Sequence, residues 1–296
     1  GAAGAHLGPV MNIQAAVEKL LNESIELEAN VGGGCISTAT RGVTKSGQKI
    51  FIKSNTNAAS GMFTAEAAGL RALNRVPNGC RIPRVLGVSE SPALLILEWI
   101  DSGRESSDSL SQMGQGLAAQ HRVTRQANGF DAGDNFIGST PQHNPDEVDW
   151  LIFFRDHRIG YQWELLRNNG RCSGALNLAL EHFCDHIVDY MEVGNERPAL
   201  LHGDLWSGNK MTDSTGMPVL IDPAVYYGCR EADLAMTELF GRFGPSFYAA
   251  YNEAFPLQPG YSERRDLYNL YHLLNHANLF GGGYSAQALS VLKQYC

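Results

Sequence analysis

Leu200-Leu201-His202-Gly203-Asp204-Leu205-Trp206-Ser207-Gly208-Asn209, followed by Val219-Leu220-Ile221-Asp222-Pro223, is where this chain shows its chemistry first. An apolar strand delivers Asp204 into a loop, Asn209 follows five positions later, and a second short apolar strand ends in Asp222. Three oxygen-bearing side chains at strand ends are what phosphoryl transfer asks of a protein. One carboxylate orients and deprotonates an attacking hydroxyl, while an amide and a second carboxylate hold Mg²⁺ against the phosphates. Asp and Asn are also ordinary turn residues, so either half alone would carry little weight. Both halves, in order and each preceded by a strand, favour the chemical reading.

The 296 residues are enough for two lobes with a sizeable core, and 44% hydrophobic with 18% charged is the balance of an ordered globular chain. A formal charge of −8 argues against general nucleic-acid binding, which needs clustered Lys and Arg on one face. An anionic substrate must then be met by local groups and a metal rather than by a global field. No apolar run approaches the roughly 20 residues of a membrane span. The longest, Pro92 to Ile100, has strand length and carries Glu98. Residues 1–10 are Gly/Ala-rich, lack the basic start and apolar stretch of a secretory signal, and read as an expression remnant ahead of Met11. Six scattered cysteines with no C-x-x-C pair point to reduced thiols and a cytoplasmic setting.

In chain order, Asn12 to Leu21 reads as a short amphipathic helix capped by Asn12. Ser24 to Asn30 and Ile36 to Val43 read as strands flanking Val31-Gly32-Gly33-Gly34-Cys35-Ile36-Ser37, a hairpin whose backbone N–H groups can approach a phosphate. A plain tight turn explains Gly32, Gly33 and Gly34 equally well, because Ser37 stands where a third spaced glycine would be. Lys49 to Ser54 is the next strand, and Lys53 alternates with Phe51, so its ammonium shares a face with an aromatic and needs a partner. Glu66, on the helix predicted over Met62 to Leu73, is that partner. A Lys–Glu pair between a third strand and the following helix positions nucleotide phosphates. Pro83 to Ser89 and Ala93 to Ile100 complete five strands, and the polar, Ser-rich run Ser102 to Asp108 marks a linker.

Beyond it the chain reads as mostly helical. Leu110 to Arg122 is amphipathic, and Phe130 to Pro145 is a long loop rich in Gly, Asn and Pro. Asp149 to Leu166 alternates aromatics with Arg155 and Arg158, the pattern of a core helix with a solvated basic face. Asp233 opens a later helix, where it either starts that helix or accepts hydrogen bonds from the Asp204 loop and fixes its shape. The pairs His182/His186 and His272/His276 have helical spacing, but neither has a third ligand, so no zinc site is expected.

These segments add up to a resemblance. The chain from Met11 onward resembles the fructosamine kinase (ketosamine-3-kinase) family, a branch of the aminoglycoside-phosphotransferase-like, protein-kinase-like fold. The resemblance rests on Val31 to Ser37, Phe51 to Lys53, Ala65 to Leu70, Asn135 to Gln142, Leu201 to Asn209, Ile221 to Gly228, Arg230 to Met236 and Leu274 to His276. The Asp204–Asn209 spacing matches the kinase catalytic loop, with Gly203 where protein kinases carry Arg, and Asp222 stands where they carry the metal-binding Asp.

The resemblance implies an α+β bilobal fold: an N-lobe over 11–98, a small antiparallel five-strand sheet with one main helix; a hinge over 99–108; and a mostly helical C-lobe over 109–296. It implies ATP and Mg²⁺ as cofactors and phosphorylation of the sugar 3-hydroxyl of a ketosamine, whose unstable product releases the free amine. By position, Asp204 becomes the base, Asn209 and Asp222 the metal ligands, and Lys53 the phosphate contact with Glu66 its partner. Glu98, Trp99 and Ile100 become the adenine edge, contacting it through main chain, and His202 and Asp233 become structural supports. Trp206, Tyr226 and Tyr227 are candidates for packing against the sugar or amine, and Cys35 is a candidate redox position beside the phosphates. A kinase for another hydroxylated amine, such as an aminoglycoside or choline, shares this logic, and a nucleotide-binding module without catalysis is the alternative from another class. Small-molecule or protein-bound ketosamines, and a monomer or a homodimer, are all compatible with the sequence.

Overall fold

The computed structural model describes residues 9–31 and 38–295. The first helix, α1, spans Pro9–Leu21 and so begins ahead of the expected Asn12 cap. Proline suits a first helical position, where its fixed φ is pre-set and its missing N–H is not needed. Five strands follow: β1 (Ile25–Val31), β2 (Thr38–Thr44), β3 (Lys49–Ser54) and, beyond helix α2 (Met62–Asn74), β4 (Val85–Glu90) and β5 (Ala93–Glu98). They form one antiparallel sheet in the order β1-β2-β3-β5-β4.

Alternation along β3 and β5 gives this sheet two buried faces. Ile50, Ile52, Leu94 and Ile96 pack with Val17 of α1 on one side. Leu95 and Leu97 join Phe63, Leu70 and Leu73 of α2 on the other. That second cluster continues without a break into the C-lobe through Met113, Leu117, Leu201 and Val225, so the lobes share a core. Contact at the seam is close: a Cβ on Gly69 of α2 would lie 2.9 Å from Val225 Cγ2.

After β5 the chain crosses to α3 (Ser107–His121). The Ser-rich stretch is therefore only partly linker, and its end is a helix start in which Ser106 N–H donates to Ser109 Oγ at 2.9 Å. The loop expected over Phe130 to Pro145 holds a hairpin, β6 (Asn135–Ile137) and β7 (Thr140–Gln142). The helix expected over Asp149 to Leu166 is broken into α4 (Trp150–Phe154), a π-helical turn (Arg155–Gly160) and α5 (Tyr161–Asn168). The wider turn re-aims its side chains. Arg158, expected on the solvated face, is fully buried between the rings of Phe153, Tyr226 and Tyr271. Its guanidinium donates to His143 O, His157 O and Asn144 Oδ1.

The remainder comprises α6 (Gly174–Asp185), α7 (Ile187–Met191), β8 (Ala199–Leu201), β9 (Lys210–Thr212), β10 (Pro218–Leu220), β11 (Tyr226–Gly228), α8 (Glu231–Met236), α9 (Pro245–Ala254), α10 (Tyr261–Phe280) and α11 (Tyr284–Lys293). A five-stranded lobe over a mostly helical one is the α+β, bilobal, protein-kinase-like architecture. No helix among the described residues is long and apolar enough to cross a membrane.

Candidate active site

Strand β8, paired with β11, ends at the loop that carries Asp204. One buried carboxylate shapes that loop. Asp233 accepts from His202 N–H at 2.8 Å and from Gly203 N–H at 2.9 Å, and its Oδ2 lies 2.8 Å from His121 Nε2. Burial alone would raise the pKa of Asp233, but the bond from His121 and the surrounding charges hold it below the usual carboxylate range. His202 is itself buried and held neutral by desolvation. Its Nδ1 accepts from Asp204 N–H at 3.2 Å, which leaves Nε2 to donate to Ile221 O at 2.8 Å. The imidazole thus ties the two strand ends together. Gly203 has φ of 88°, and a Cβ there would stand 1.9 Å from Ala224 O, so the position admits no other residue in this conformation.

The loop brings Asp204, Asn209 and Asp222 together. Asn209 Nδ2 donates to Asp204 O at 2.9 Å and lies 3.3 Å from Asp204 Oδ2, while Ile221 N–H donates to Asn209 O at 3.0 Å. Asp222 holds a left-handed φ of 51°, uncommon for a residue with a side chain. From the N-lobe, Lys53 Nζ reaches Glu66 Oε1 and Asp222 Oδ1, both at 2.6 Å. Burial would discharge Lys53, but the carboxylates of Glu66 and Asp222 outweigh it and keep the ammonium charged. Burial raises Glu66, with Lys53 opposing. Burial and the neighbouring Asp222 charge push Asp204 up to about 7, the range in which a carboxylate works well as a general base.

These groups line a cavity of about 290 Å³ whose other walls are mostly apolar, among them Trp206, Phe136, Leu279 and Phe280, with Asn135 and Asn275 as polar members. Trp206 is 37% exposed and meets Phe240 edge-on at 6.2 Å. His276 also faces the cavity. The structure brings Lys53, Glu66, Asp204, Trp206, Asn209 and Asp222 to one place and sets Tyr226 and Tyr227 apart from it. Both tyrosines are corrections. Tyr226 is 3% exposed, packed on Phe153 and Arg158, and Tyr227 turns the other way toward Phe130 and Arg125. Pairing of β11 with β8 fixes that alternation and sends neither ring into the cavity.

At the crossing, the Glu98 carboxylate accepts from Arg84 N–H at 2.9 Å, and the Trp99 ring leans on Phe51 and Arg41. Trp99 N–H donates to Lys49 O. The side chains of Glu98, Trp99 and Ile100 do not line the cavity. Gly32, Gly33, Gly34 and Cys35 lie outside the described residues.

Sequence reasoning missed a brace behind the site. Asn135 Nδ2 donates to Val225 O at 2.8 Å, and Gln142 Nε2 donates to Ala224 O at 3.1 Å and Asn135 Oδ1 at 2.9 Å. Tyr271 OH donates to Gln142 Oε1 at 2.8 Å. These buried amides pin the segment that follows Asp222. Asn135 and Gln142 delimit one of the stretches that carry the family resemblance, but nothing local in the sequence assigned them this bracing role.

Comparison with known proteins agrees with this geometry. The family described as fructosamine kinase matches residues 10–296. A Synechocystis protein assigned as a ketoamine kinase is 46% identical over 278 residues, 91% of this chain and 90% of its own. The chloroplastic protein-ribulosamine 3-kinase of Arabidopsis thaliana is 42% identical over 270 residues, 90% of this chain and 81% of its own. Among solved structures, one from Thermobifida fusca assigned as a fructosamine-3-kinase superimposes with a TM-score of 0.88 at 31% identity, over 95% of this chain and 97% of that one. The Lys–Glu pair, the Asp-Asn-Asp cluster and a match over nearly the whole length converge on one conclusion: the chain is a phosphotransferase and belongs to the fructosamine kinase family.

Proposed function

We propose that this chain is an ATP-dependent ketosamine 3-kinase. The observation that carries the reading is the meeting of Lys53 from the sheet with Asp222 from the C-lobe at 2.6 Å, beside an Asp204 carboxyl raised to about 7. In this reading the sugar 3-hydroxyl lies against Asp204, which takes its proton as the O3–phosphorus bond forms and the bond from the γ-phosphorus to the bridging oxygen of ADP breaks. Lys53, oriented by Glu66, holds the nucleotide phosphates. Asn209 and Asp222 present amide and carboxylate oxygens, the hard donors Mg²⁺ prefers, and would hold an ion that offsets phosphate charge. Trp206 packs against the sugar or its amine substituent, and the apolar walls exclude water that would otherwise compete as acceptor.

The four described cysteines are free, in keeping with a reducing compartment such as the cytoplasm. ATP consumption with Mg²⁺ tests the proposal against fructosyl-lysine and ribulosyl-lysine beside kanamycin and choline, with Asp204→Asn as the blank. Turnover of the ketosamines alone, lost in the variant, is expected. Turnover of kanamycin or choline instead would retain the chemistry and overturn the substrate.

A further inference from the structure

A second cavity, of about 510 Å³, opens behind the lobe crossing, on the far end of α2. Its walls mix polar and apolar groups, Val76 and Val85 among the latter, and four arginines line it: Arg71, Arg75, Arg81 and Arg84. In a chain of net charge −8 this is a local reversal of sign. Arg81 is the fixed member. Its Nη1 lies 2.8 Å from Asp213 Oδ2 and its Nη2 lies 3.7 Å from Glu98 Oε2. Glu98 is the one acid in the lining, and its other oxygen is taken by Arg84 N–H. Among the described residues, no carboxylate forms an ion pair with Arg71, Arg75 or Arg84.

Like charges gathered without counter-charges repel, weakly where solvent screens them. Arg71, in the last turn of α2, and Arg75, its C-cap, lie about one turn apart, a spacing at which equal charges repel. The negative end of the α2 dipole offsets part of this, but Arg81 and Arg84 lie beyond the helix. What the arrangement fits is an external anion. Planar guanidinium forks match phosphate oxygens two at a time, and the cavity falls in the volume range of small-molecule sites. We propose that the cavity behind the crossing binds a small organic anion carrying more than one phosphate group, separately from the catalytic cleft. Several exposed cations around one concave site select for several negative charges, and the partly buried Val76 and Val85 beside them suit a short carbon skeleton.

Calorimetric titration of inorganic pyrophosphate in divalent-free buffer tests this. The probe is added to the wild-type chain, to Arg75→Gln/Arg84→Gln, to the milder helix-end variant Arg71→Gln, and to Lys53→Met, each with its thermal midpoint recorded. Binding is expected to survive in Lys53→Met, to weaken roughly tenfold in the double variant, and to weaken by a smaller factor in Arg71→Gln. Loss in Lys53→Met with full binding in both arginine variants would place the anion in the cleft and overturn the proposal. So would the absence of binding to the wild-type chain, or equal heats from sulfate at matched ionic strength, which would be general screening.

Discussion

Lys53 and Asp222 stand 169 positions apart and meet at 2.6 Å, joining the third strand of one lobe to the strand end of the other. The same ammonium lies 2.6 Å from Glu66, so one cation is shared between a carboxylate of its own lobe and one across the cleft. Removing it would leave two carboxylates facing each other in a recessed site. The contact thus sets both the charge of the cleft and the register of the lobes.

Asp204 links activity and stability in opposite senses. Its folded carboxyl titrates near 7, against a usual value of 3.8, because burial and then Asp222 disfavour the charge. A raised folded value means that the folded state retains the proton that the unfolded chain releases. The associated stability is present below pH 4 and is lost as pH rises toward 7. Asp204→Asn should therefore melt a few degrees above the wild-type chain at pH 8 and level with it at pH 4, by calorimetry without nucleotide or divalent cation. The same variant should lose about a thousandfold in turnover. Equal melting curves at both pH values would contradict the assigned burial.

Gly203→Ala should damage turnover without touching any group that meets substrate. The added methyl carbon would meet Ala224 O at 1.9 Å, so the loop must move and Asp204 with it. Displacements of this order cost roughly a hundredfold in rate. Steady-state kinetics should show the loss in kcat, with a circular dichroism spectrum like that of the wild-type chain.

Trp206→Ala should separate the two substrates. The ring lines the cavity and is partly exposed, and in the proposed reading it packs against the acceptor, so its loss should raise KM for ketosamine and lower kcat/KM roughly tenfold to a hundredfold. KM for ATP should stay level. A shift in KM for ATP alone would remove Trp206 from the acceptor site.

Arg158 is a stability element. Its side chain is fully buried, donates to three acceptors and is flanked by three aromatic rings. Arg158→Ala should cost about 3 to 5 kcal/mol, through an unfilled cavity and acceptors left without donors. Arg158→Lys should recover little, since a single ammonium cannot replace the planar fork. Urea unfolding reads both as shifts of the midpoint.

The groups that meet the cleft were legible because each is announced locally. Asp204 and Asp222 follow apolar strands, Asn209 has a fixed spacing, and Lys53 is a cation on an otherwise apolar face. Glu66 needed one further step, the helix that carries it. What could not be read has its partners far away in sequence. His121 meets Asp233 across 112 positions and Tyr251 across 130, and Asn135 meets the Val225 carbonyl across 90. No local pattern distinguishes these polar side chains from solvated ones. The broken helix around Arg158 was hidden for another reason, because one wide turn re-phases the helix while leaving its residue types unchanged. Tyr226 and Tyr227 have the aromatic chemistry to pack against a sugar, but the β8–β11 pairing, which joins Tyr226 to Leu201, 25 positions earlier, turns both rings away from the cavity.

The Asp233 carboxylate also bears on how the protein comes into being. It gathers His202, Gly203 and His121, and His121 in turn lies 2.7 Å from the Tyr251 hydroxyl. During synthesis from the N-terminus, Asp204, Asn209 and Asp222 leave the ribosome before Asp233 and well before Tyr251. The loop that presents the proposed base has no fixed shape until those later residues arrive and close around it. The shape of that loop is therefore a property of the nearly complete C-lobe rather than of the segment that carries its acids.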